Sequence, residues 1–388
     1  MRILHVGKYY APQRGGMERH IQDLAQWQVS HGIDVEVLVH QPGGRWRTSR
    51  ECIDGVKLTR VGCLATPLYA PLSPTFPLQF ARALRSAQPD LLHLHLPNPS
   101  CFAALASAPA RRLPWIVHWQ AEVSPEVPDW RLRLAYRAYR PFEQALLAHA
   151  AAIICTSQAY LDASPALARW HAKARVIPLG IDAGTGVGTR APEWPRPDTL
   201  KLLAVGRLSH YKGFATLIDA LAQVPEASLV LIGDGEESTR LRDQAQRRGV
   251  SARINFAGAT DDATVNAAYA AADAFVLPSL DRSESFGLVL LEAMRARLPV
   301  IASAIPGSGV NHVLAEGAAG LLVERGDAVA LGLAIRRIAN DRSLRETLGA
   351  AGRQRWEEHF TLERSARAVL ALYLQTLGTH APAAAQAD

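Results

Sequence analysis

Short apolar runs rich in Val, Ile and Leu punctuate the chain at 3–6, 35–39, 91–96, 115–117 and 152–155, then again at 202–205, 229–232, 254–257, 274–277 and 300–302. Runs this short with little polar alternation read as strands covered on both faces, and helices lying between them imply parallel order. Helical spacing of apolar positions appears at 17–30 and 214–222, and again from about Phe286. The pattern predicts two α/β units in tandem. Between them Ala183–Thr199 carries Gly184, Gly186, Gly188, Pro192, Pro195 and Pro197 with little periodic apolar content, and reads as a linker. After Asp341 the strand pattern stops and helical stretches follow at about 341–358 and 362–377. The expected organisation is an N-terminal domain 1–182, a linker 183–199, a C-terminal domain 200–355 and a closing helical segment 356–380. The small-residue tail from Ala381 is expected to fray, and there is no internal repeat.

Composition narrows the class. With 388 residues, 48% hydrophobic content and 20% charged, the chain is long enough for two or three domains each with a core, and its composition excludes collagen-like, disulfide-rich and disordered proteins. The net charge of +6 is unevenly placed: residues 1–182 hold 20 Lys and Arg against 13 Asp and Glu, the remainder 22 against 23. The first half therefore faces something anionic. Nucleic acid is not expected, since that footprint requires a dedicated basic patch with a reading element. Cys52, Cys63, Cys101 and Cys155 lack paired spacing, which argues against a zinc cage or disulfide framework and for a reducing cytosol. Met1–Val6 enters a strand pattern without a basic and then an apolar leader, which argues against a signal peptide. No stretch reaches the roughly 18 apolar residues of a spanning helix, so membrane contact would be peripheral.

In open parallel sheets ligands bind beyond the carboxyl ends of strands, so the loops there carry the candidate chemistry. Gly15 and Gly16 precede a helix, where free N–H groups suit an anion, although a tight turn would use them equally. No dinucleotide fingerprint occurs: Gly233-Asp-Gly235 lacks the third glycine, and there is no Walker loop. Arg207 and Lys212 lie between a strand end and a helix start. There they could grip a diphosphate or stand as ordinary surface cations. Glu284 and Glu292 flank Phe286 and Gly287. Glu292 sits on a helix that is apolar on nearly every side, a costly place for a carboxylate unless ligand hydroxyls or a neighbouring protein group bind it.

Taken together these motifs resemble the group 1, or family 4, retaining glycosyltransferases of the GT-B fold. The likeness runs over essentially the whole chain: the Gly15-Gly16 loop, His93-Leu-His95-Leu-Pro97-Asn98-Pro99, Val176–Asp182, Gly206-Arg-Leu with Lys212-Gly213, Gly233-Asp-Gly235, Glu284 to Glu292, and Ile305–Val310 before Gly320–Val323. The resemblance implies two Rossmann-like domains facing each other across a cleft. It also implies a nucleotide diphosphate sugar held by the second domain and a glycan or lipid-linked acceptor at the first, in surface polysaccharide assembly. Glu292 would hold ribose hydroxyls, Arg207 and Lys212 the diphosphate, and Glu284 the transferred sugar, helped by the Phe286 and Gly287 N–H groups. Gly15 and Gly16 would join the donor site, and the last helix would return to the first domain. With cations opposite the leaving phosphate, no metal or other cofactor is expected. The loops 256–260 and 277–280 would read the base, and a mannose-like hexose enters only by similarity.

One segment departs from the family. Related sequences often read Trp-His-Ser-Asp where this chain has Trp119-Gln-Ala-Glu122, placing Gln120 where a donor-contacting His is expected. Gln cannot become cationic, so its expected role is orientation. His93, His95 and His118 raise a metal site as an alternative to ordinary buried histidines. Arg133, Arg137 and Arg140 share one helix face suited to an anionic bilayer, with 66–77 beside it, or simply to solvent. The expected location is the cytoplasm, at the inner face of the membrane. An epimerase on the same fold and a non-catalytic sugar-nucleotide-binding subunit remain as alternatives.

Overall fold

The computed structural model describes residues 1–13, 15–67, 70–122, 130–184 and 190–380. The expectations placed on Gly186 and Gly188, on residues 68–69 within the 66–77 stretch, and on the tail from Ala381 lie outside the described residues.

The chain opens with β1 (Arg2–Val6), α1 (Gly16–Ser30), β2 (Asp34–His40), β3 (Ser49–Ile53), β4 (Val56–Val61), α2 (Phe76–Ala87) and β5 (Leu91–Leu96). It continues through α3 (Ala103–Ala106), β6 (Trp115–Trp119), α4 (Trp130–His149), β7 (Ala152–Cys155), α5 (Gln158–Asp162) and β8 (Ala174–Val176). Next come β9 (Leu200–Val205), α6 (Phe214–Ala222), β10 (Ala227–Ile232), α7 (Ser238–Arg247), β11 (Ile254–Gly258), α8 (Asp262–Ala271), β12 (Ala274–Leu277) and α9 (Leu288–Arg295). β13 (Val300–Ala304), α10 (Gly309–Val313), β14 (Leu321–Glu324), α11 (Ala328–Asn340), α12 (Arg342–His359) and α13 (Leu362–His380) complete it. Two compact units result: Met1–Asp182 with the chain from Leu362, and Ala183–Thr361.

Every apolar run read as a strand is one. The strands without such a run, β3, β4, β8 and β14, lie at or next to sheet edges, where one side needs no apolar cover. β3 and β4 form a hairpin across Asp54-Gly55, both at positive φ, as a tight Asp-Gly turn requires.

The first unit's sheet runs β3-β4-β2-β1-β5-β6-β7-β8, parallel except for β3. Alternate residues feed two cores. Leu4, Leu92, Leu94 and Val117 pack toward Phe80, Leu146 and Leu147 of α2 and α4. Ile3, Leu91 and Ile116 pack toward Ile21 and Leu24 of α1 and Val369 and Tyr373 of α13. Burying each such side chain stabilises by about 1.5–3 kcal/mol, which is why the strands read as unbroken apolar runs. α13 is fixed to this unit by Leu362 N donating to Ile181 O (2.8 Å) and Ser365 Oγ to Pro178 O (2.7 Å).

The second unit's sheet is wholly parallel, in the order β11-β10-β9-β12-β13-β14. Two expected boundaries shift. The described part of the 183–199 segment packs on this unit, because Trp194 is buried and its indole donates to Leu202 O at 2.9 Å. The return to the first unit begins at Leu362 rather than 356: buried Trp356 holds the end of α12 on the second unit, and Arg353 Nη1 donates to Arg295 O at 2.6 Å. Among the described residues no helix is long and apolar enough to cross a membrane.

Candidate active site

Strand order reverses between β9 and β12, and the crevice at such a reversal is where open α/β sheets hold ligands. The loop 206–213 leaves β9 there and the loop 278–287 leaves β12, each running into a helix. They lock together through Leu280 N donating to Tyr211 O at 2.7 Å. Gly213 permits the close approach: its φ is 68°, and a β-carbon would stand 1.9 Å from Pro278 O.

This clasp brings Lys212 and Glu284 together, with Nζ 2.6 Å from Oε2 and both side chains about nine-tenths buried. Ser279 Oγ donates to the same carboxylate oxygen at 2.9 Å. Burial works against the ammonium, but Glu284, Tyr211 and Glu292 together hold the Lys212 pKa above the usual lysine value. Below the pair, Ser308 Oγ donates to Glu284 O, and Gly309 N donates to Ser285 O at 2.8 Å. Buried Phe286 stacks edge-on against Phe360 and anchors the turn into α9. The N–H groups of Phe286 and Gly287 make no hydrogen bond among the described residues. A fixed ammonium from one loop thus meets a fixed carboxylate and two N–H groups at a helix start from the other.

Glu292 already has a protein partner. Tyr269 Oη donates to its Oε2 at 2.9 Å, and burial, then the charge of Glu292, push the tyrosine well above the usual phenol range. Its half-buried place on α9 therefore does not of itself require a ligand. Arg207 is half-exposed and reaches Glu236 of the loop after β10, Nη2 to Oε2 at 3.1 Å. Sequence reading missed Tyr269, Glu236 and the contact of Ser279 with Glu284, because these roles rest on contacts between separate loops and helices. Ser279, in the 277–280 loop expected to read the base, braces Glu284.

In the first unit the order reverses between β1 and β5. Gly15 caps α1 in an extended conformation, and a β-carbon there would stand 2.2 Å from Glu18 Oε2. The carboxylate of Glu18 therefore lies against the helix start where an anion was expected, beside Gly15 and Gly16. Burial raises its pKa. Gln120, just past β6, is 3% exposed, and neither its Oε1 nor its Nε2 has a hydrogen-bond partner among the described residues.

His5, His93, His95 and His118 line one face of β1, β5 and β6, with His20 of α1 against His118 at 4.7 Å between ring centroids. A hydrogen-bonded chain threads part of the group. His5 Nε2 meets Gln28 Oε1 at 2.8 Å, His5 Nδ1 meets His95 Nε2 at 3.0 Å, and Tyr373 Oη meets His93 Nδ1 at 2.5 Å. Three of these rings, His5, His93 and His95, bring ligand-type nitrogens within 4.8 Å of one another, with no carboxylate or thiolate in the group to offset a divalent charge. Burial lowers the pKa of His5 to about 4 and of His20 to about 3, and drives His93, His95 and His118 well down.

Arg133, Arg137 and Arg140 lie exposed on α4, whose inner face buries Glu143, Leu146 and Leu147. Trp130, Leu134 and Phe142 are exposed on the same helix.

Residues 190–355 match the family model for glycosyl transferases group 1, and residues 15–180 match a glycosyl transferase 4-like domain. The chain is 28% identical over 385 residues to the O-antigen chain mannosyltransferase C of Escherichia coli, covering 97% of this chain and 99% of that one. It is 30% identical over 371 residues to a phosphatidyl-myo-inositol mannosyltransferase of Mycobacterium leprae, covering 91% of each. Its backbone resembles sucrose-phosphate synthase from Thermosynechococcus elongatus, with a TM-score of 0.77, 25% identity, and coverage of 97% of this chain and 99% of that one. The fold class is GT-B.

Proposed function

The chain belongs to the group 1 glycosyltransferases, and from that premise we propose that it moves a hexose from a nucleoside diphosphate sugar to a lipid-linked or oligosaccharide acceptor in surface polysaccharide assembly. Anomeric configuration is retained and no metal takes part in this reading. The observation that carries it is the Lys212–Glu284 pair at the strand-order reversal, beside the free N–H groups of Phe286 and Gly287.

On donor binding Lys212 re-partners: a phosphate oxygen takes the ammonium, and the sugar hydroxyls donate to the carboxylate that Ser279 holds in place. Arg207 adds a second cation at the diphosphate, and Glu292 takes the ribose hydroxyls. When the acceptor oxygen attacks the anomeric carbon, the bond to the phosphate breaks and charge grows on the leaving group, where Lys212 and Arg207 stabilise it. The acceptor's proton passes to the departing phosphate on the same face of the sugar. In this reading Gly15, Gly16 and Gln120 contact the donor from the first domain. The domain roles are an acceptor-side 1–182 and a donor-side 200–355, and Arg133, Arg137 and Arg140 meet an anionic membrane at the cytoplasmic face. A mannosyl donor is favoured by the names of two relatives, the Escherichia coli and Mycobacterium leprae mannosyltransferases.

A thermal-shift panel of GDP-, UDP- and ADP-sugars tests donor choice. A cognate donor at a hundredfold its Kd stabilises by about 2.7 kcal/mol, and no shift from any of them overturns the reading. Product analysis excludes an epimerase when sugar leaves the nucleotide only in the presence of acceptor. Activity unchanged by a chelator, with an α-linked product from an α-linked donor, completes the test.

A further inference from the structure

We propose that Arg137, Arg140 and Arg169 form a discrete pocket for a phosphate group on the first unit. Arg137 and Arg140 stand one turn apart on α4, and Arg169 comes from the segment after α5. With Pro141, Gln144 and Pro165 they line a hollow of about 410 Å³, a size at which small-molecule sites are found. None of the three guanidinium groups makes a hydrogen bond or salt bridge among the described residues. Like charges a turn apart on a helix repel, and no acid lines the hollow. The nearest carboxylate in sequence, Glu143, feels the charge of Arg140, but burial outweighs it and raises Glu143 to about 7, and its carboxyl takes the hydroxyl of Tyr136 at 3.2 Å.

The walls are braced. Gln144 Nε2 donates to Ala166 O at 2.9 Å and its Oε1 accepts from Trp170 Nε1 at 2.9 Å, which ties α4 to the segment carrying Arg169. The amide is thereby committed to the scaffold, and the open hydrogen-bonding capacity of the hollow is guanidinium, which only donates. Three forks offer more donors than a carboxylate's two oxygens can accept. A phosphate monoester or diphosphate, with its several anionic oxygens, matches them better. The group belongs either to an anionic lipid or to a soluble phosphorylated glycan. The proposal rests on the acceptor reading above only for the source of that phosphate.

The test is calorimetric titration of the full chain with inorganic pyrophosphate at physiological salt. Arg140→Ala/Arg169→Ala should lose one class of sites, with affinity there falling roughly tenfold or more. Arg133→Ala, on the same helix but outside the hollow, should bind as the wild type does. Vesicles then separate the two sources. Preference for phosphatidic acid over phosphatidylglycerol at equal charge, lost in the double variant, assigns the phosphate to a lipid headgroup. Pyrophosphate binding without that preference assigns it to a soluble ligand. Coincident isotherms for wild type and double variant overturn the pocket. So does an equal loss in Arg133→Ala, which marks a diffuse basic face. A chain that binds pyrophosphate here but shifts with no nucleotide sugar refutes the donor reading and leaves the pocket standing.

Discussion

The loops at the β9–β12 reversal and the strand face shared by β1, β5 and β6 both bury polar groups, but they settle them differently. In the second unit the buried charges are matched: Lys212, Glu284 and Ser279 share one carboxylate oxygen, and Tyr269 holds Glu292. In the first unit the polar groups are imidazoles and an amide kept neutral, and much of their hydrogen-bonding capacity is unspent: among the described residues both nitrogens of His20 and His118 and both side-chain ends of Gln120 lack partners. One region holds its charges ready-set, at the risk that removing either partner strands the other. The other keeps its groups uncharged and depends on staying so.

Breaking the matched pair should have the largest effect. Glu284→Ala should lower kcat by roughly a thousandfold in a transfer assay, as loss of a group placed for the transition state does. Lys212→Met should cost about 3–5 kcal/mol in urea unfolding, because the buried Glu284 loses its counter-charge. Lys212→Met/Glu284→Gln should recover most of that stability and none of the activity, which separates folding from chemistry. A single variant as stable as wild type would show that the carboxylate is better solvated than its burial indicates.

Acid sharpens the contrast from the other side. Above pH 6.5 the histidines are neutral folded or unfolded and cost nothing. As pH falls from 6.5 toward about 4, the unfolded chain takes up protons that folded His5 and His20 refuse, at about 1.4 kcal/mol per pH unit for each. Burial also raises three carboxyls of this unit, Glu18, Glu36 and Glu143, the last to about 7, and these work in the opposite sense, but they stand against six buried imidazoles, His5, His20, His40, His93, His95 and His118. The first unit should therefore lose structure before the second in an acid titration followed by hydrogen exchange. Simultaneous loss would count against this assignment.

Smaller effects are expected at single hydrogen bonds. Gln120→Ala should reduce turnover or donor affinity by roughly tenfold while leaving stability nearly unchanged, since its amide has no hydrogen-bond partner among the described residues to lose. Tyr269→Phe should weaken nucleotide-sugar binding several-fold and cost about 1 kcal/mol, by freeing Glu292 from the hydroxyl that aims it.

Local physics made much of this legible. A strand buried on both faces must be apolar along its length, so 274–277 could be delimited to the residue and 214–222 read directly as a helix. Glu284, Glu292, Arg207 and Lys212 stood out because charge near a strand end or on an apolar helix demands an explanation. The polar hairpin β3–β4 escaped because an edge needs no continuous apolar cover, although its Asp54-Gly55 turn was in plain view.

What the sequence by itself determined was therefore the alternation of elements, the two-unit plan and the residues whose chemistry is expensive to bury. The tertiary structure decided the partners. That Lys212 meets Glu284, that Ser279 braces it, that Tyr269 satisfies Glu292 and that Glu18 closes over Gly15 all depend on how separate segments approach in space. A pattern along one strand or helix reports which way a side chain points. It carries no record of which other loop the fold will bring within 3 Å of it, a distance set by hydrogen bonding.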